Sequence, residues 1–318
     1  MYTSQPIKNQ ITVAVCCFNA AGYLTKLIEN LIAQDCPIPF EVLIIDNNSI
    51  DNTQDLISAC AATSAIPIRY VHEFEQGIAF ARNRAIEESL SSRYLAFIDA
   101  DELPEKAWLK AAVRGLSDEA IDCVGGKISI ALPYRPSWLS DDLLPFYGEV
   151  NHSNQRFPII DSSTPIWSGN IAYNTRIFQQ GLRFDIRYNR KGKGIGGGED
   201  AIMFHYFLQH HFSLVYEPEM EILHLIPDEK IKRRYFLKLH YIAGKKNAFY
   251  GINPDGKKIY GIPGFMFVLL FKKVRQVLYL LFAEPSAYMR EAMNLTYHLG
   301  MMRGYYQKHV IEKPHLPS

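Results

Sequence analysis

Four short apolar runs in the first third of the chain constrain the fold most. Ile11–Cys17 (ITVAVCC), Glu41–Ile45 (EVLII), Ile68–His72 and Tyr94–Ile98 read as strands. Tyr23–Ala33, Thr53–Ser64, Ile78–Leu90 and Pro104–Leu116, which follow them in turn, carry helical spacing. Asp51 or Asn52 is placed to cap the second helix, Gly77 opens the third, and Pro104 would sit in the first turn of the fourth. Short apolar strands alternating with helices predict an α/β fold, a mostly parallel sheet covered on both faces. Ligands of such sheets bind outside the carboxyl ends of the strands.

Three polar clusters fall at those ends: Phe18-Asn19 after the first strand, Asp46-Asn47-Asn48-Ser49 after the second, and Asp99-Ala100-Asp101-Glu102 after the fourth. Burying unpaired charge is expensive, so a core strand running into three acids needs either solvent or a cation at its end. On an extended backbone the i, i+2 spacing points Asp99 and Asp101 to one side. Oxygen ligands at that range suit Mg²⁺ or Mn²⁺, with water or substrate phosphate filling the other positions. The alternative is an acidic turn ahead of the helix at Pro104. Position after a buried strand favours the cation, and Glu102 stays unassigned. Asx and Ser side chains also build turns and caps, whereas the functional reading of Asp46 and Asn47 is hydrogen bonding to a nucleoside. The Phe18 ring could stack on a base.

The second half is less regular. Cys123–Leu132 and Trp167–Tyr173 read as strands, joined by a long proline-containing connection that could carry an acceptor-binding insertion. Residues 189–198 (NRKGKGIGGG) hold five glycines and three cations and read as a mobile loop. That loop lacks the G-K-[ST] ending of a phosphate-binding P-loop. Asp200–His210 reads as a helix, and Ser213–Tyr216 as a strand leading toward His224.

The motifs VAVCCFNAAGYLTKLIENLIAQ, EVLIIDNNSIDNT, GIAFARNRAIEES and YLAFIDADE follow one another as they do in family 2 glycosyltransferases. That resemblance covers about residues 10–225 and implies the GT-A fold, a nucleotide-sugar donor, a divalent cation (Mg²⁺ or Mn²⁺) and inversion at the anomeric carbon. It implies that Asp99 lies near the donor and Asp101 holds the metal. Phe18, Asn19, Asp46 and Asn47 would line the nucleoside pocket. Arg82, from the family's A-R-N, would pair with donor phosphate or with Asp99; a solvated helix-face arginine is the competing view. The Glu199-Asp200 pair opening a helix resembles the catalytic E-D, with Asp200 as general base and Glu199 supporting it. An acidic helix N-terminus favoured by the helix dipole is the alternative. Trp167, Gly169 and Asn170 resemble the segment lining the acceptor side, against a plain strand and turn. His224 stands where the family often brings a histidine to the metal or diphosphate, against a structural histidine. Two departures stand out: some members have a second Asp where this chain has Asn47, and Cys16 and Cys17 replace small hydroxyl residues.

On this reading residues 1–227 form the transferase domain, with a nucleotide-sugar half at about 1–120 and an acceptor half at about 121–227. Residues 228–318 form a helical C-terminal extension. The expected reaction moves a sugar to a hydroxyl of a glycan or lipid-linked acceptor, as in polysaccharide biosynthesis. A non-catalytic nucleotide-sugar-binding scaffold at a membrane surface, or a hydrolase using the same donor site, are the alternatives. The loop at 189–198 would act as a lid that excludes water from the donor.

Composition narrows the remaining classes. With 318 residues, 48% hydrophobic and 13% aromatic, the chain is not a disordered one. Its net charge is +1, yet the segment from Glu229 to Arg275 holds twelve Lys/Arg against two acids, or +10, leaving −9 elsewhere. Such a split turns a basic face toward an anionic surface. No nucleic-acid module accompanies it, which points to anionic membrane rather than nucleic acid. Phe265–Phe271 (FMFVLLF) and Val277–Phe282 (VLYLLF) flank KKVRQ, and each is shorter than the roughly 20 residues a bilayer span needs. A helix in the membrane interface and a helix covering the core both remain open, with the basic segment favouring the interface. Five cysteines with no metal spacing predict reduced thiols in a cytoplasmic protein, peripheral on the inner membrane face. The polar start MYTSQPIKNQ is not a secretory signal.

Overall fold

A computed structural model describes residues 10–189, 198–251, 254–283 and 285–312. These fall into two compact units, one within Met1–Ala131 and Tyr147–Ile226, the other within Leu132–Phe146 and Pro227–Ser318.

The first unit is built on one sheet. In chain order it contains β1 (Ile11–Cys17), α1 (Ala21–Ile32), β2 (Phe40–Asp46), α2 (Thr53–Thr63), β3 (Ile68–His72), α3 (Ile78–Ser89), β4 (Tyr94–Asp99), β5 (Glu102–Pro104) and α4 (Trp108–Leu116). Then come β6 (Cys123–Ala131), β7 (Phe157–Ile159), β8 (Asn170–Asn174), α5 (Glu199–Gln209) and β9 (Leu214–Leu225). The sheet order is β3-β2-β1-β4-β8-β6-β9-β5, with β7 on β9. The four strands β3, β2, β1 and β4 run parallel, whereas β8 enters antiparallel to β4 and β6. Every residue of β1 is buried, as a central parallel strand requires. Leu24, Leu27, Ile28 and Leu31 form the inward stripe of α1 at i, i+3, i+4, i+7. Each contributes about 1.5–3 kcal/mol by leaving water.

Register decides where the polar loops meet. Cys17 lies opposite Asp46, Asp46 opposite His72, and Cys16 opposite Asp99. The loops after β1, β2 and β4 therefore leave the sheet at one edge.

Two elements differ from the sequence reading. The fourth helix starts at Trp108, and Pro104 ends β5 instead of opening the helix. Pro104 pairs with Ile222 at the end of the sheet, where a residue without an N–H is tolerated. The strand expected at 213–216 continues to Leu225, twelve residues in all, because β6 and β5 both pair along it.

The second unit contains α6 (Arg233–Tyr250), the hairpin β10 (Lys258–Ile259) and β11 (Ile262–Pro263), α7 (Phe265–Ala283) and α8 (Pro285–Glu312). FMFVLLF, KKVRQ and VLYLLF form the single helix α7. Glycine lets α6 and α8 approach closely: a Cβ at Gly300 would lie 2.0 Å from Tyr241 O, and one at Gly244 2.0 Å from Tyr297 O. Phe236 is fully buried, with the Trp138 ring edge-on at 5.6 Å. No described helix is long and apolar enough to cross a membrane.

Candidate active site

A solvent-open cleft lies at the carboxyl ends of β1, β2 and β4, walled by Cys17, Phe18, Asn19, Asn47, Asp99 and Asp101, among others. Burial pushes the Cys16 thiol up to about 12, with Arg82 opposing and Asp99 adding to it, and lifts Cys17 well above its ordinary value. Both stay protonated, so neither is a nucleophile or thiolate ligand at neutral pH. All five cysteines are free.

The loop after β2 is held by its own side chains. Asp46 is 2% exposed; its Oδ1 accepts from Ser49 N at 2.9 Å and its Oδ2 from Tyr70 OH at 3.0 Å. Ser49 Oγ accepts from Asn19 N at 2.8 Å, while Asn19 Oδ1 accepts from Ile50 N at 2.8 Å. Asn19 takes φ 50°, a conformation Asn tolerates. Asp46 thus spends both carboxylate oxygens inside the protein and shapes the cleft from behind. Desolvation, then the hydrogen bond to Asp46, raises Tyr70 to about 12.

Asn47 shows why an amide stands at this position. Its Nδ2 donates to Glu75 O at 2.7 Å and Glu73 O at 3.2 Å, and its Oδ1 accepts from Gly77 N at 2.5 Å. An aspartate could accept from Gly77 but would turn a carboxylate toward two carbonyls. Asn47→Asp is expected to cost about 2–3 kcal/mol, as for buried polar groups left unpaired, read as a lower midpoint in thermal melts. An unchanged midpoint would show that these bonds do not hold the loop.

The same loop meets residues distant in sequence. Asn189 Oδ1 accepts from Ala79 N at 3.1 Å in the first turn of α3, and its Nδ2 donates to Gln76 O at 3.2 Å. Gly77 has φ 143°, and a Cβ there would lie 1.8 Å from Asn189 Nδ2. Asn83 clamps Phe184 by accepting from its N at 2.7 Å and donating to its O at 3.0 Å. Of the lid expected at residues 189–198, residues 190–197 lie outside the described residues.

Arg82 is the hub. It is 3% exposed, its Nη1 donates to Glu199 Oε1 at 2.8 Å and its Nη2 to Asp99 Oδ1 at 3.3 Å. Burial opposes its charge, but Asp99, Glu199 and Asp200 more than offset this and hold its pKa above the ordinary value. The solvated helix-face view of Arg82 is thereby overturned. Glu199 Oε2 and Arg82 Nε are buried with no hydrogen-bond partner. Asp200 follows in the first turn of α5, where its Oδ1 accepts from Ala201 N at 2.8 Å. Burial, and next the Glu199 charge, raise Asp200 to about 6 while Arg82 holds it down.

Strand pairing brings in His224. Residue 102 of β5 sits opposite residue 224 of β9, and His224 Nε2 lies 3.5 Å from Asp101 Oδ2. Among the described residues no three His, Cys, Asp or Glu side chains gather as a metal cage. A carboxylate and an imidazole at this spacing fit a divalent cation that takes most of its ligands from water and substrate. Glu102 is 3% exposed and accepts from Asp99 N at 2.8 Å. Burial, then the charges of Asp99 and Asp101, push it well above the usual carboxylate range.

The acceptor-side residues separate. A Cβ at Gly169 would lie 2.5 Å from Glu102 Oε1, so this glycine makes room beside the acids. Asn170 is 1% exposed: its Oδ1 accepts from Trp108 Nε1, and its Nδ2 donates to Lys127 O and Met220 O, all at 2.8 Å. Its side chain ties α4, β6 and β9 together, so an acceptor contact through it is corrected to a structural one. Trp167 is partly exposed and its carbonyl accepts from Asn170 N at 3.0 Å.

Asn189, Asn83 and Glu102 were not assigned roles from sequence. Asn83 lies inside A-R-N and Glu102 inside DADE, so a motif pointed at both; Asn189 carries no local signal.

Comparison with known proteins adds the family. The family model of Glycosyl transferase family 2 matches residues 12–182, just over half of the chain. Glycosyltransferase AglE of Haloferax volcanii is 31% identical over 124 residues, which are 39% of this chain and 40% of AglE. The chain thus spans less than half of that relative. The mannosyltransferase PcManGT from Pyrobaculum calidifontis, solved with GDP-Man and Mn²⁺, superposes with a TM-score of 0.60 at 16% identity, covering 96% of this chain and 88% of that one. S. aureus TarS 1–349, solved with UDP, superposes at 0.53 with 15% identity, covering 92% and 90%. Both likenesses speak for the GT-A fold. The sheet, its register and the matched segment together lead to one conclusion: this chain belongs to glycosyl transferase family 2.

Proposed function

We propose that the protein transfers a sugar, with inversion, from a nucleoside-diphosphate donor to a hydroxyl of a glycan or lipid-linked acceptor. The observation that carries this reading is Arg82, whose guanidinium joins Asp99 at the end of β4 to Glu199 at the start of α5. The donor-side acids and the acid pair of α5 are thereby drawn to one point at the mouth of the sheet.

The donor's nucleoside would enter the cleft beside Phe18, over the loop that Asp46 and Asn47 hold in shape. Asp101 and His224 would hold a Mg²⁺ or Mn²⁺ ion, which supplies positive charge to the departing diphosphate. The likeness to proteins solved with GDP-Man and Mn²⁺ and with UDP supports this donor class and this ion. Asp200 takes the acceptor proton as the acceptor oxygen attacks the anomeric carbon, and the diphosphate leaves from the opposite face. A base with a pKa of about 6 is mostly ionised at neutral pH yet basic enough to share a proton in the transition state. Glu199 and Arg82 hold the first turn of α5 in place. Gly169 and Trp167 would border the acceptor. The transferase domain proposed for residues 1–227 would comprise the first unit, with 228–318 as the helical extension and Leu132–Phe146 belonging to the same unit as that extension, in a cytoplasmic protein with reduced thiols.

The test is a thermal-shift screen of nucleotide sugars with and without Mn²⁺, followed by donor turnover. One donor should raise the melting midpoint in a metal-dependent way. Asp101→Ala should abolish that metal dependence and most of the turnover. Equal turnover in Asp101→Ala and wild type would sink the metal assignment, and no stabilisation by any donor would sink the reading as a whole.

A further inference from the structure

Helix α7 is apolar around most of its circumference. One side faces the second unit: Met266 and Leu280 are buried, and His298 donates from Nε2 to Met266 O at 2.8 Å. The other side is bare. Phe267, Val268, Phe271, Leu278, Tyr279 and Phe282 are exposed, from 38% at Phe267 to 85% at Phe282. A helix this apolar on its outer side is normally covered.

The charge pattern names the cover. Lys272, Lys273 and Arg275 stand around Val274, the middle residue of the helix, and no acid occurs between residues 256 and 283. A second copy related by a two-fold axis at that midpoint would bring six cations together in an apolar contact. An acidic headgroup layer meets the same cations favourably while its acyl boundary takes the aromatic side chains. At 1.5 Å per residue the helix is about 28 Å long, but its three central cations preclude a span. Long cationic side chains can instead rise from an apolar surface to the headgroups.

We propose that α7 lies flat in the interface of an anionic lipid bilayer, with Phe267, Phe271, Leu278 and Phe282 inserted and Lys272, Lys273 and Arg275 at the headgroups. This goes beyond the transfer reading and does not depend on it, since vesicle binding is measured without donor or acceptor.

The experiment is co-sedimentation of the full chain with phosphatidylcholine vesicles, with and without about one-third phosphatidylglycerol, at low salt. Wild type should bind the anionic vesicles far more tightly than the neutral ones. Replacing all three cations by Gln should weaken binding by about a hundredfold, near fivefold per cation. Phe271→Ser with Phe282→Ser, both at exposed positions, should weaken it comparably; because Lys273 is half-buried while Lys272 and Arg275 are exposed, circular dichroism and melting midpoint serve as controls for folding of both variants. Absence of binding to anionic vesicles, equal binding to both vesicle types, or full binding by the Gln variant would overturn the proposal. So would light scattering that finds a dimer in solution which the two Ser substitutions convert to monomer.

Discussion

Asp200→Asn is expected to lower kcat by about 10²–10⁴-fold, the usual contribution of a positioned general base. Donor binding, read by thermal shift, should stay close to wild type, because Asn keeps the size and can still accept from Ala201 N. The pH profile gives an independent reading. A base raised to about 6 is protonated below that pH, so the rate falls about tenfold per unit on the acid side. A carboxylate at its ordinary value would keep activity down to about pH 4. An acid limb near pH 4 in the wild-type enzyme, or wild-type turnover in Asp200→Asn, would remove Asp200 from the base position.

Arg82→Met should be the most damaging single change to the site's architecture. Glu199 and Arg82 have side-chain exposures of 6% and 4%, so the substitution leaves a carboxylate buried without its cation. Removing one partner of such a pair costs about 3–5 kcal/mol. The thermal midpoint should fall by roughly 10 °C, at about 2–4 °C per kcal/mol for a chain of this size. Asp99 is 30% exposed and water relieves much of its loss, so most of the effect belongs to Glu199. The double variant Arg82→Met with Glu199→Gln should recover part of the midpoint but little turnover. Residual activity in Arg82→Met should show its acid limb moved to higher pH, because the charge that holds Asp200 down is gone. An unmoved midpoint would mean that Glu199 finds other support.

How far the site could be read from sequence varies residue by residue. Asp99 and Asp101 were legible because a strand's period is two and the apolar run before them marks where it ends. Glu199 and Asp200 were legible as a pair opening a helix. Asn47, inside the polar loop after β2, was read as a ligand for a base; it walls the cleft, and its side-chain amide is used within the protein. It is the amide that organises residues 73–77. Asn170 misled for the same reason, since a buried side-chain amide and an exposed one have the same letter. Pro104 was placed in a helix because proline suits a first turn as well as an edge strand.

The chain's local chemistry determined the alternation of strands and helices, the strand ends at which acids and amides gather, and the charge imbalance of the C-terminal segment. Each of these follows from periodicity or composition within a dozen residues or so. Only the tertiary structure decided that Arg82 reaches Glu199 across 117 positions, that β9 sets His224 against Asp101, and that one side of α7 is left bare. The first two depend on sheet order and register, and the third on how α7 packs against α8; all are set by the summed burial of many side chains.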